Sequence, residues 1–360
     1  MGFEVIALDE AAPRWDAALA QLPPRLRDVY FTSPYLLLSQ RLGEGRAMGG
    51  LFRHGETVVL YPFLLRELAE LPHLGEEYAG YYDVTTPFGY GGPLIHKRGG
   101  DEHAMETFRN AFERWCAKNR VVSEFVRFHP LLDTELAMQH HVACSPVGTT
   151  VWCRLDCSQE ERFKTLSPPT RRNVRRALGS DLTFQQESSD EAYESFVELF
   201  RQTRERRRSE GVHPFSDRYF RDVRELLGPM QSLLSVRRGE KMIAAGLFLR
   251  SQEFVHYHLG GSDPEYLELR PTNLLFFEAM KWGCSLGCTA LHLGGGHEAN
   301  DDLFRFKAGF SPLRARFCIG KRVHDEEAYA RAAAAREARG PVARGGFFPA
   351  YRAPLPAAVA

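Results

Sequence analysis

The feature that most constrains this chain is one order of predicted elements that occurs in both of its halves. In each half, helices precede a run of short strands, and a long amphipathic helix and a further strand follow. The long helices hold Trp115 and Trp282 at corresponding places, on faces whose apolar residues recur every three or four positions. Because the pattern repeats without appreciable identity, it predicts two copies of one α/β (α+β) unit. Each copy is expected to be a mixed, mostly antiparallel sheet flanked by helices.

The repeat also sets the expected domain boundaries. We expect a first domain over residues 1–155 and a second over 156–324, and leave open whether the last strand of the second returns to the first. Residues 325–360 begin with an Ala/Arg-rich, helix-prone stretch and end in Pro, Gly, Ala and Arg, with little to bury. We therefore expect a helix and a mobile tail there. Two copies of a fold also predict a cleft between them, where ligands commonly bind.

Composition excludes several classes of function. The 46 basic residues balance the 46 acidic ones, so the chain cannot coat nucleic acid through its overall charge, and no DNA partner is expected. No run of about 20 apolar residues predicts a membrane span, and the N-terminus lacks the pattern of a signal peptide. Seven cysteines without zinc-site spacing are typical of reduced thiols, so we expect a cytoplasmic protein without a metal.

A basic stretch, Thr170–Ala177, follows Pro168-Pro169 at the predicted start of a helix. Six cations lie within 15 residues here: Arg162, Lys164, Arg171, Arg172, Arg175 and Arg176. Arg172, Arg175 and Arg176 share one helix face at spacings of three and four. Such a cluster on a neutral protein attracts phosphates, including an RNA backbone. The alternative is a solvated face whose cations pair with Glu160 and Glu161.

Two glycine-rich loops follow predicted strands in the second half. The first, Leu259–Ser262, leads to Arg270 at the start of the long helix. Free N–H groups at a helix start suit an anion. The alternative is an ordinary helix capped by Thr272 or Asn273. The second loop reads Leu293-Gly294-Gly295-Gly296-His297, and Gly295 allows a ligand to lie against backbone. Lys307 follows between aromatic residues, where an ammonium can stabilise a developing oxyanion. An ion pair with Asp301 or Asp302 is the alternative for Lys307. In the first half, the glycine- and tyrosine-rich segment Tyr81–Pro93 is typical of a pocket wall.

Taken in order, these pieces resemble the FemABX-like branch of the GNAT acyltransferases over about residues 30–320. The pieces are Gly91–Leu94, Thr170–Ala177, Ala244–Gly246, Tyr257–Ser262, Leu293–Gly296 and Leu303–Phe310. The resemblance implies two tandem GNAT-like domains. It also implies N-acyl transfer to a primary amine, with donors that range from aminoacyl-tRNA to acyl-CoA.

The resemblance also implies roles for particular residues. It places Phe306 and Lys307 at the reaction centre, and we assign Lys307 to the negative charge that grows on the carbonyl oxygen. An amine acceptor must lose a proton, and Asp83 and His258 are the candidate general bases. The expected substrate-binding residues are Arg172, Arg175, Arg176 and Arg270 for phosphates, Tyr90 and Tyr257 for the cleft wall, and Gly295 for backbone contact.

Two departures from the family pattern bear on the substrates. Gly91-Gly92-Pro93 stands where the family often has Arg-Gly-Pro, which argues against a cell-wall peptide precursor as acceptor. Leu267–Thr272 replaces the Gly-rich pyrophosphate loop of simple acetyltransferases. We therefore expect aminoacyl-tRNA as the co-substrate, with no permanently bound cofactor, and a small-molecule amine or an envelope precursor as acceptor. The alternatives are an acyl-CoA-dependent enzyme and a non-catalytic GNAT-like binding module.

Overall fold

The computed structural model describes residues 2–97, 103–206, 215–296, 298, 300–341 and 346–355. The chain forms two compact units. The first unit comprises residues 1–26, 30–147 and 317–360, and the second comprises residues 27–29 and 148–316. Some residues considered from the sequence lie outside the described part of the chain: His297, residues 342–345 and 356–360 of the tail, and the last two residues of a second basic run, Arg204 to Arg208, which the sequence suggests is mostly a surface feature.

The first unit is a sheet in the order β1-β2-β3-β4-β6-β13, with β5 added beside β3. Its elements are β1 (Gly2–Ala7), α1 (Leu8–Leu19), α2 (Ser33–Arg41), β2 (Arg46–His54), β3 (Thr57–Glu67), β4 (Tyr82–Thr85), β5 (Leu94–His96), α3 (Ala104–Lys118), β6 (Val121–Arg127), part of β13 (Arg314–Val323) and α10 (Glu326–Glu337). Its pairs are antiparallel except for the parallel pair β4–β6.

The second unit repeats this arrangement in the order β8-β9-β10-β11-β12-β7. Its elements are part of β7 (Ala143–Arg154), α4 (Gln159–Thr165), α5 (Pro168–Leu178), β8 (Thr183–Glu187), α6 (Asp190–Arg206), α7 (Asp217–Leu227), β9 (Gln231–Arg238), β10 (Lys241–Arg250), β11 (Phe254–Ser262), α8 (Pro271–Ser285), β12 (Ala290–Gly294) and α9 (Asp302–Ala308). Here β11–β12 is the parallel pair. The fold class predicted from the repeat is confirmed, since each sheet is mixed, mostly antiparallel and flanked by helices.

The connection of the sixth strand differs from a simple tandem order. The sixth strand of the first sheet, β13, follows the second unit in the chain, and the sixth strand of the second sheet, β7, precedes it. Residues 319–323 of β13 pair antiparallel with β6, and residues 151–154 of β7 pair antiparallel with β12. The unit boundaries accordingly fall inside these two strands, at 147/148 and 316/317.

Each unit has its own apolar core beneath its long helix. In the first unit, the Phe108 and Phe112 rings of α3 stack with centroids 6.0 Å apart and pack on Tyr61 of β3. In the second, α8 contributes Phe276, whose ring lies 5.1 Å from that of Phe310. Offset and edge-to-face aromatic pairs of this kind add about 0.5–1.5 kcal/mol beyond the area they bury.

The expectation of a mobile C-terminal tail is wrong for its described residues. Residues 350–352 form a 3-10 turn, and Tyr351 is completely buried. Its hydroxyl hydrogen-bonds Ser123 at 2.6 Å, and its carbonyl lies 2.8 Å from His73 Nε2. Arg336 donates to the carbonyl of Ala353 at 2.8 Å. The tail is rich in Ala, Gly and Pro, but two of its aromatic rings hold this segment: Tyr351, with its polar groups satisfied, and Phe348, whose ring stacks on Tyr329 at 5.7 Å.

Candidate active site

The site is built around a gap between the two parallel strands of the second unit. Residues 254–256 of β11 pair with residues 290–292 of β12, and the pairing of these two described strands ends at His256–His292. Beyond that point β11 continues to Ser262 beside β10, while β12 continues to Gly294 beside β7. The strands therefore separate towards their carboxyl ends. A bulge at His258 adds one residue to β11 where the gap begins.

Lys307 lies beside this gap. It sits near the end of α9, where its side chain is only 6 % exposed. Its ammonium donates to the carbonyl of Gly295 at 2.7 Å and lies 5.7 Å from the ring centroid of Tyr257. The structure thus brings together three residues that the sequence analysis selected independently from α9, the glycine loop and β11.

Phe306 fixes the orientation of α9. Its ring lies 5.6 Å from that of Phe276 on α8 and 5.4 Å from that of Phe310. At the start of the helix, the Asp301 carboxylate accepts from the amide of Phe304 at 2.7 Å. Phe306 therefore packs α9 against the core, and this packing holds the neighbouring Lys307 near Gly295.

The basic helix α5 belongs to the same unit. Thr170, Val174 and Ala177 are buried, so Arg172, Arg175 and Arg176 are exposed on the other side of the helix. The Arg175 guanidinium lies 5.3 Å from the ring centroid of Phe163, and Arg176 lies 3.9 Å from Glu268. Glu160 pairs with Lys164 at 2.6 Å, and Glu161 forms a capping box with Ser158.

Two contacts connect α5 to the other predicted site elements. At its N-terminus, the Ser167 amide donates to the carbonyl of Gly309 at 2.8 Å, two residues after Lys307. At its other end, Arg176 approaches Glu268, two residues before Arg270. The arginines of α5, Arg270 and Lys307 therefore belong to one connected group of elements.

Arg270 occupies the N-cap of α8 in a left-handed conformation, with φ +59°. The alternative in which Thr272 or Asn273 caps this helix is wrong, because the helix begins at Pro271 and no side chain caps it. Left-handed backbone at a residue other than glycine costs about 1–3 kcal/mol and is frequent at ligand sites. The preceding 3-10 turn, residues 264–269, places Glu265 and Glu268 close to the start of α8.

His258 and Lys307 contact different elements. The His258 ring stacks on Tyr219 of α7, with centroids 6.0 Å apart, and its Nε2 hydrogen-bonds the Tyr219 hydroxyl. Tyr257 instead packs on Phe276 of α8 at 4.7 Å. The structure therefore joins His258 to α7, whereas Tyr257 and Lys307 lie on the side of α8.

Asp83 and Tyr90 belong to the first unit. Asp83 is fully buried between two guanidinium groups, Arg66 at 2.6 Å and Arg352. Because each carboxylate oxygen accepts from an arginine, these contacts favour a structural role for Asp83 over that of a general base. Tyr90 packs on Tyr30 and His129 at 5.3 and 5.6 Å, and burial raises the pKa of its phenol above the ordinary range.

The sequence analysis did not identify a cluster of three buried polar side chains in the second unit. Asp28, His256 and His292 are each no more than 1 % exposed. Asp28 Oδ2 lies 2.8 Å from His256 Nε2, and His256 Nδ1 lies 3.4 Å from His292 Nδ1. The available signal was weak, since each histidine simply stands in an apolar strand.

Comparison with known proteins identifies a domain in this part of the chain. Residues 169–308 match the GNAT acetyltransferase domain family. This range includes nearly all of α5, the gap between β11 and β12, α8 and Lys307. No curated protein matches the chain in sequence. The second unit therefore carries a GNAT domain, and the protein is an acyltransferase.

Solved structures extend the match beyond this domain. FemX is 14 % identical and matches 92 % of this chain and 99 % of its own, with a TM-score of 0.69. L-PGS from Bacillus licheniformis is 13 % identical, with coverages of 90 % and 96 % and a TM-score of 0.54. The C-terminal domain of a putative lysylphosphatidylglycerol synthetase from Agrobacterium fabrum is 13 % identical, with coverages of 90 % and 95 % and a TM-score of 0.52. The chain thus has the fold of FemX over nearly its whole length, and residues 169–308 carry a GNAT domain, as the resemblance to the FemABX-like branch implied.

Proposed function

We propose that this protein forms an amide bond by transferring an aminoacyl group from aminoacyl-tRNA to a primary amine. The observation that carries the proposal is the position of Lys307, a buried cation held by the Gly295 carbonyl beside the gap between β11 and β12. The acceptor is a small molecule or an envelope precursor, and the reaction takes place in the cytoplasm, where charged tRNA is available.

Lys307 acts on the carbonyl of the donor ester. When the amine attacks, negative charge develops on the carbonyl oxygen, and an ammonium in a site that excludes water stabilises this charge. The cation–π contact with Tyr257 and the bond to Gly295 keep the ammonium in place before the reaction. This preorganisation avoids reorganisation at the moment when the charge forms.

The donor is inferred from the charges on α5 and around the start of α8. Arg172, Arg175 and Arg176 form an exposed cationic face suited to the phosphates of an RNA backbone. In the turn before α8, Glu265 and Glu268 carry the same sign of charge as a pyrophosphate. The nearby cation Lys241 forms ion pairs with Glu265 at 3.6 Å and Asp263 at 2.9 Å, so its charge is already paired within this turn. These charges favour tRNA over CoA.

The proposal is tested by a product assay. Full-length protein is incubated with a panel of primary amines and either a mixture of charged tRNAs or a mixture of acyl-CoAs, and the products are identified by mass spectrometry. We expect an aminoacyl amide that appears only with charged tRNA and disappears after ribonuclease treatment. If no amide forms with either donor, the enzymatic proposal fails and the non-catalytic GNAT-like binding module is favoured.

Acyl-CoA-dependent N-acylation is the second candidate. It is favoured by the match of residues 169–308 to a family described as an acetyltransferase domain. In the same assay, this candidate predicts acyl products with acyl-CoA, insensitive to ribonuclease.

A further inference from the structure

We propose that Asp28, His256 and His292 form a proton relay, in which His292 takes the proton that the acceptor amine loses and His256 and Asp28 position and support it. This inference rests on the proposed amide-forming reaction, because that reaction requires an amine to be deprotonated. An alkylammonium with a pKa of about 10.4 is almost entirely charged at neutral pH.

The first argument is location. His256 and His292 form the last parallel pair before β11 and β12 separate. Tyr257, which contacts the Lys307 ammonium, is the next residue on β11. Gly295, which accepts from Lys307, follows His292 by three residues, or about 10 Å of extended chain. The histidines therefore stand at the closed end of the gap, beside the place where the donor carbonyl is expected.

The second argument is which face of the sheet each group occupies. Val255 faces α8, since a Cβ added to Gly283 of that helix would lie 3.2 Å from its side chain. Side chains alternate along a strand, so His256 faces the opposite side of the sheet. Lys307 and the relay thus flank the gap from opposite faces. This arrangement allows the carbonyl oxygen to meet Lys307 while the amine approaches on the side of the histidines.

The third argument is the direction of the hydrogen bonds. A carboxylate only accepts, so the Asp28 contact places the proton of neutral His256 on Nε2. His256 Nδ1 is then an acceptor, and the 3.4 Å contact requires His292 to donate from its own Nδ1. His292 consequently carries its basic lone pair on Nε2. Ser251 donates to the same oxygen of Asp28 at 3.2 Å, which further stabilises the carboxylate.

The proton balance of the step is complete. The acceptor ammonium first passes one proton to His292 Nε2, and the neutral amine then forms the C–N bond. The proton on His292 Nδ1 passes to His256 Nδ1, which becomes an imidazolium paired with Asp28. When the C–O bond to the tRNA ribose breaks, the relay returns that one proton to the leaving oxygen and resets, and the second proton that the nitrogen loses on becoming an amide is released to solvent. The buried Asp28 carboxylate stabilises the His256 imidazolium, which water does not solvate in this site.

The tautomers can be measured without any activity. We would record ring-¹⁵N spectra of the full-length, histidine-labelled protein, with His256→Gln and His292→Gln for assignment. The expected result is a proton on Nε2 of His256 and on Nδ1 of His292. In Asp28→Asn the amide donates to His256, so both protons should move to the other ring nitrogen. A wild-type His256 protonated on Nδ1 would overturn the relay, whatever the protein transfers.

Kinetics then test whether the relay acts in the reaction. We expect Asp28→Asn and His292→Gln each to lower kcat by about 10²–10⁴, with the KM for the amine unchanged. Hydroxylamine, whose nitrogen is uncharged at neutral pH, should reduce this deficit when it replaces the amine. A merely structural defect would slow both acceptors equally, and that outcome, or an unchanged kcat, would overturn the proposal.

A matched control is available in the first unit. His324 is also a buried histidine beside a carboxylate, with its Nε2 3.2 Å from Glu124, so His324→Gln should retain kcat. Thermal unfolding verifies that each variant folds. If Asp28→Asn does not fold, His292→Gln alone provides the kinetic test. If wild-type protein forms no amide with either donor, the proposed function fails, while the ¹⁵N spectra still decide whether the relay exists.

Discussion

At the scale of single residues, two buried charges have different surroundings. Lys307 is held by a carbonyl and an aromatic ring beside the gap in the second sheet. Glu124, in the first unit, is fully buried and bound by both terminal nitrogens of Arg109, at 2.8 and 2.9 Å. Tyr61 also donates to Glu124 at 2.7 Å. The first arrangement suits a charge that develops during a reaction, whereas the second is typical of a structural ion pair.

The first prediction concerns Lys307. Lys307→Ala should lower kcat for amide formation by about 10²–10³, since that is the usual cost of losing one donor to a developing oxyanion. The measurement is the initial rate with saturating donor and acceptor. Lys281→Ala, which removes a partly exposed lysine that pairs with Glu278 on α8, should leave the rate unchanged. A Lys307→Ala protein with full turnover would remove Lys307 from the mechanism.

The second prediction concerns Glu124. Burial opposes its ionisation, but the charge of Arg109 and the hydrogen bonds from His324 and Arg109 outweigh burial and hold its pKa well below the ordinary range. Its stabilising contribution is therefore present above the unfolded-state pKa of about 4.3 and is lost as the pH falls through the depressed folded-state pKa. Glu124→Gln should reduce the free energy of unfolding at pH 7 by about 3–5 kcal/mol, because the buried Arg109 would keep only the longer ion pair with the partly exposed Glu113, at 3.9 Å.

Urea unfolding at a series of pH values checks this prediction. The difference in unfolding free energy between wild type and Glu124→Gln should be constant above about pH 5 and should shrink in more acidic solution. Glu327→Gln, in an exposed pair with Arg331, should change stability by less than about 1 kcal/mol. A difference that grows on acidification would contradict the assigned direction of the pKa shift.

At the scale of elements, α5 and the sheet of the second unit divide the proposed functions. The buried side of α5, which includes Val174 and Ala177, packs on the core, and its arginines Arg172, Arg175 and Arg176 lie on the exposed side. The sheet supplies the gap because β11 and β12 stop pairing after His256–His292. The close approach of α6 to β11 depends on Gly261, where an added Cβ would lie 2.5 Å from the carbonyl oxygen of Leu199.

The third prediction concerns the arginine face of α5. Replacing Arg172, Arg175 and Arg176 together by Ala should weaken tRNA binding and reduce the magnitude of the slope of log K against log salt by about 2, or roughly 0.7 for each phosphate that is no longer neutralised. Filter binding from low to moderate salt measures the slope. Arg331→Ala, an exposed arginine on α10, should leave the slope unchanged. An unaltered slope in the triple variant would place the RNA contact elsewhere or exclude it.

At the scale of the whole molecule, the chain is organised as two units that repeat one strand order. Each sheet has a single parallel pair among its described strands, β4–β6 and β11–β12. The described residues contain no helix long and apolar enough to cross a bilayer. The chain returns to the first unit after the second, so that β13, α10 and the turn around Tyr351 stabilise a unit that begins over three hundred residues earlier.

The fourth prediction concerns this returning segment. Tyr351→Ala should lower the free energy of unfolding by about 3–5 kcal/mol, the usual cost of deleting a fully buried aromatic side chain. Chemical denaturation of the full chain measures the loss. Leu355→Ala, at a position that is 44 % exposed, should have almost no effect. Equal stabilities of the two variants would show that the segment contributes nothing to the first unit.

From the amino-acid order alone we could predict the repeated elements, the fold class and the local grouping around Lys307. These features follow from periodicity and from short spacings along the chain, which physical rules relate directly to helices, strands and turns. The arginines of α5 are an example, since the spacing of Thr170, Val174 and Ala177 already decides which side of the helix is buried.

The folded structure was needed to show which distant residues meet. The contact between Asp28 and His256 joins residues 228 positions apart, and that between Asp83 and Arg352 joins residues 269 apart. It also assigned β13 to the first sheet and buried Tyr351. Such pairs leave no period in the sequence, because their energy comes from burial and charge complementarity that exist only after the chain has folded.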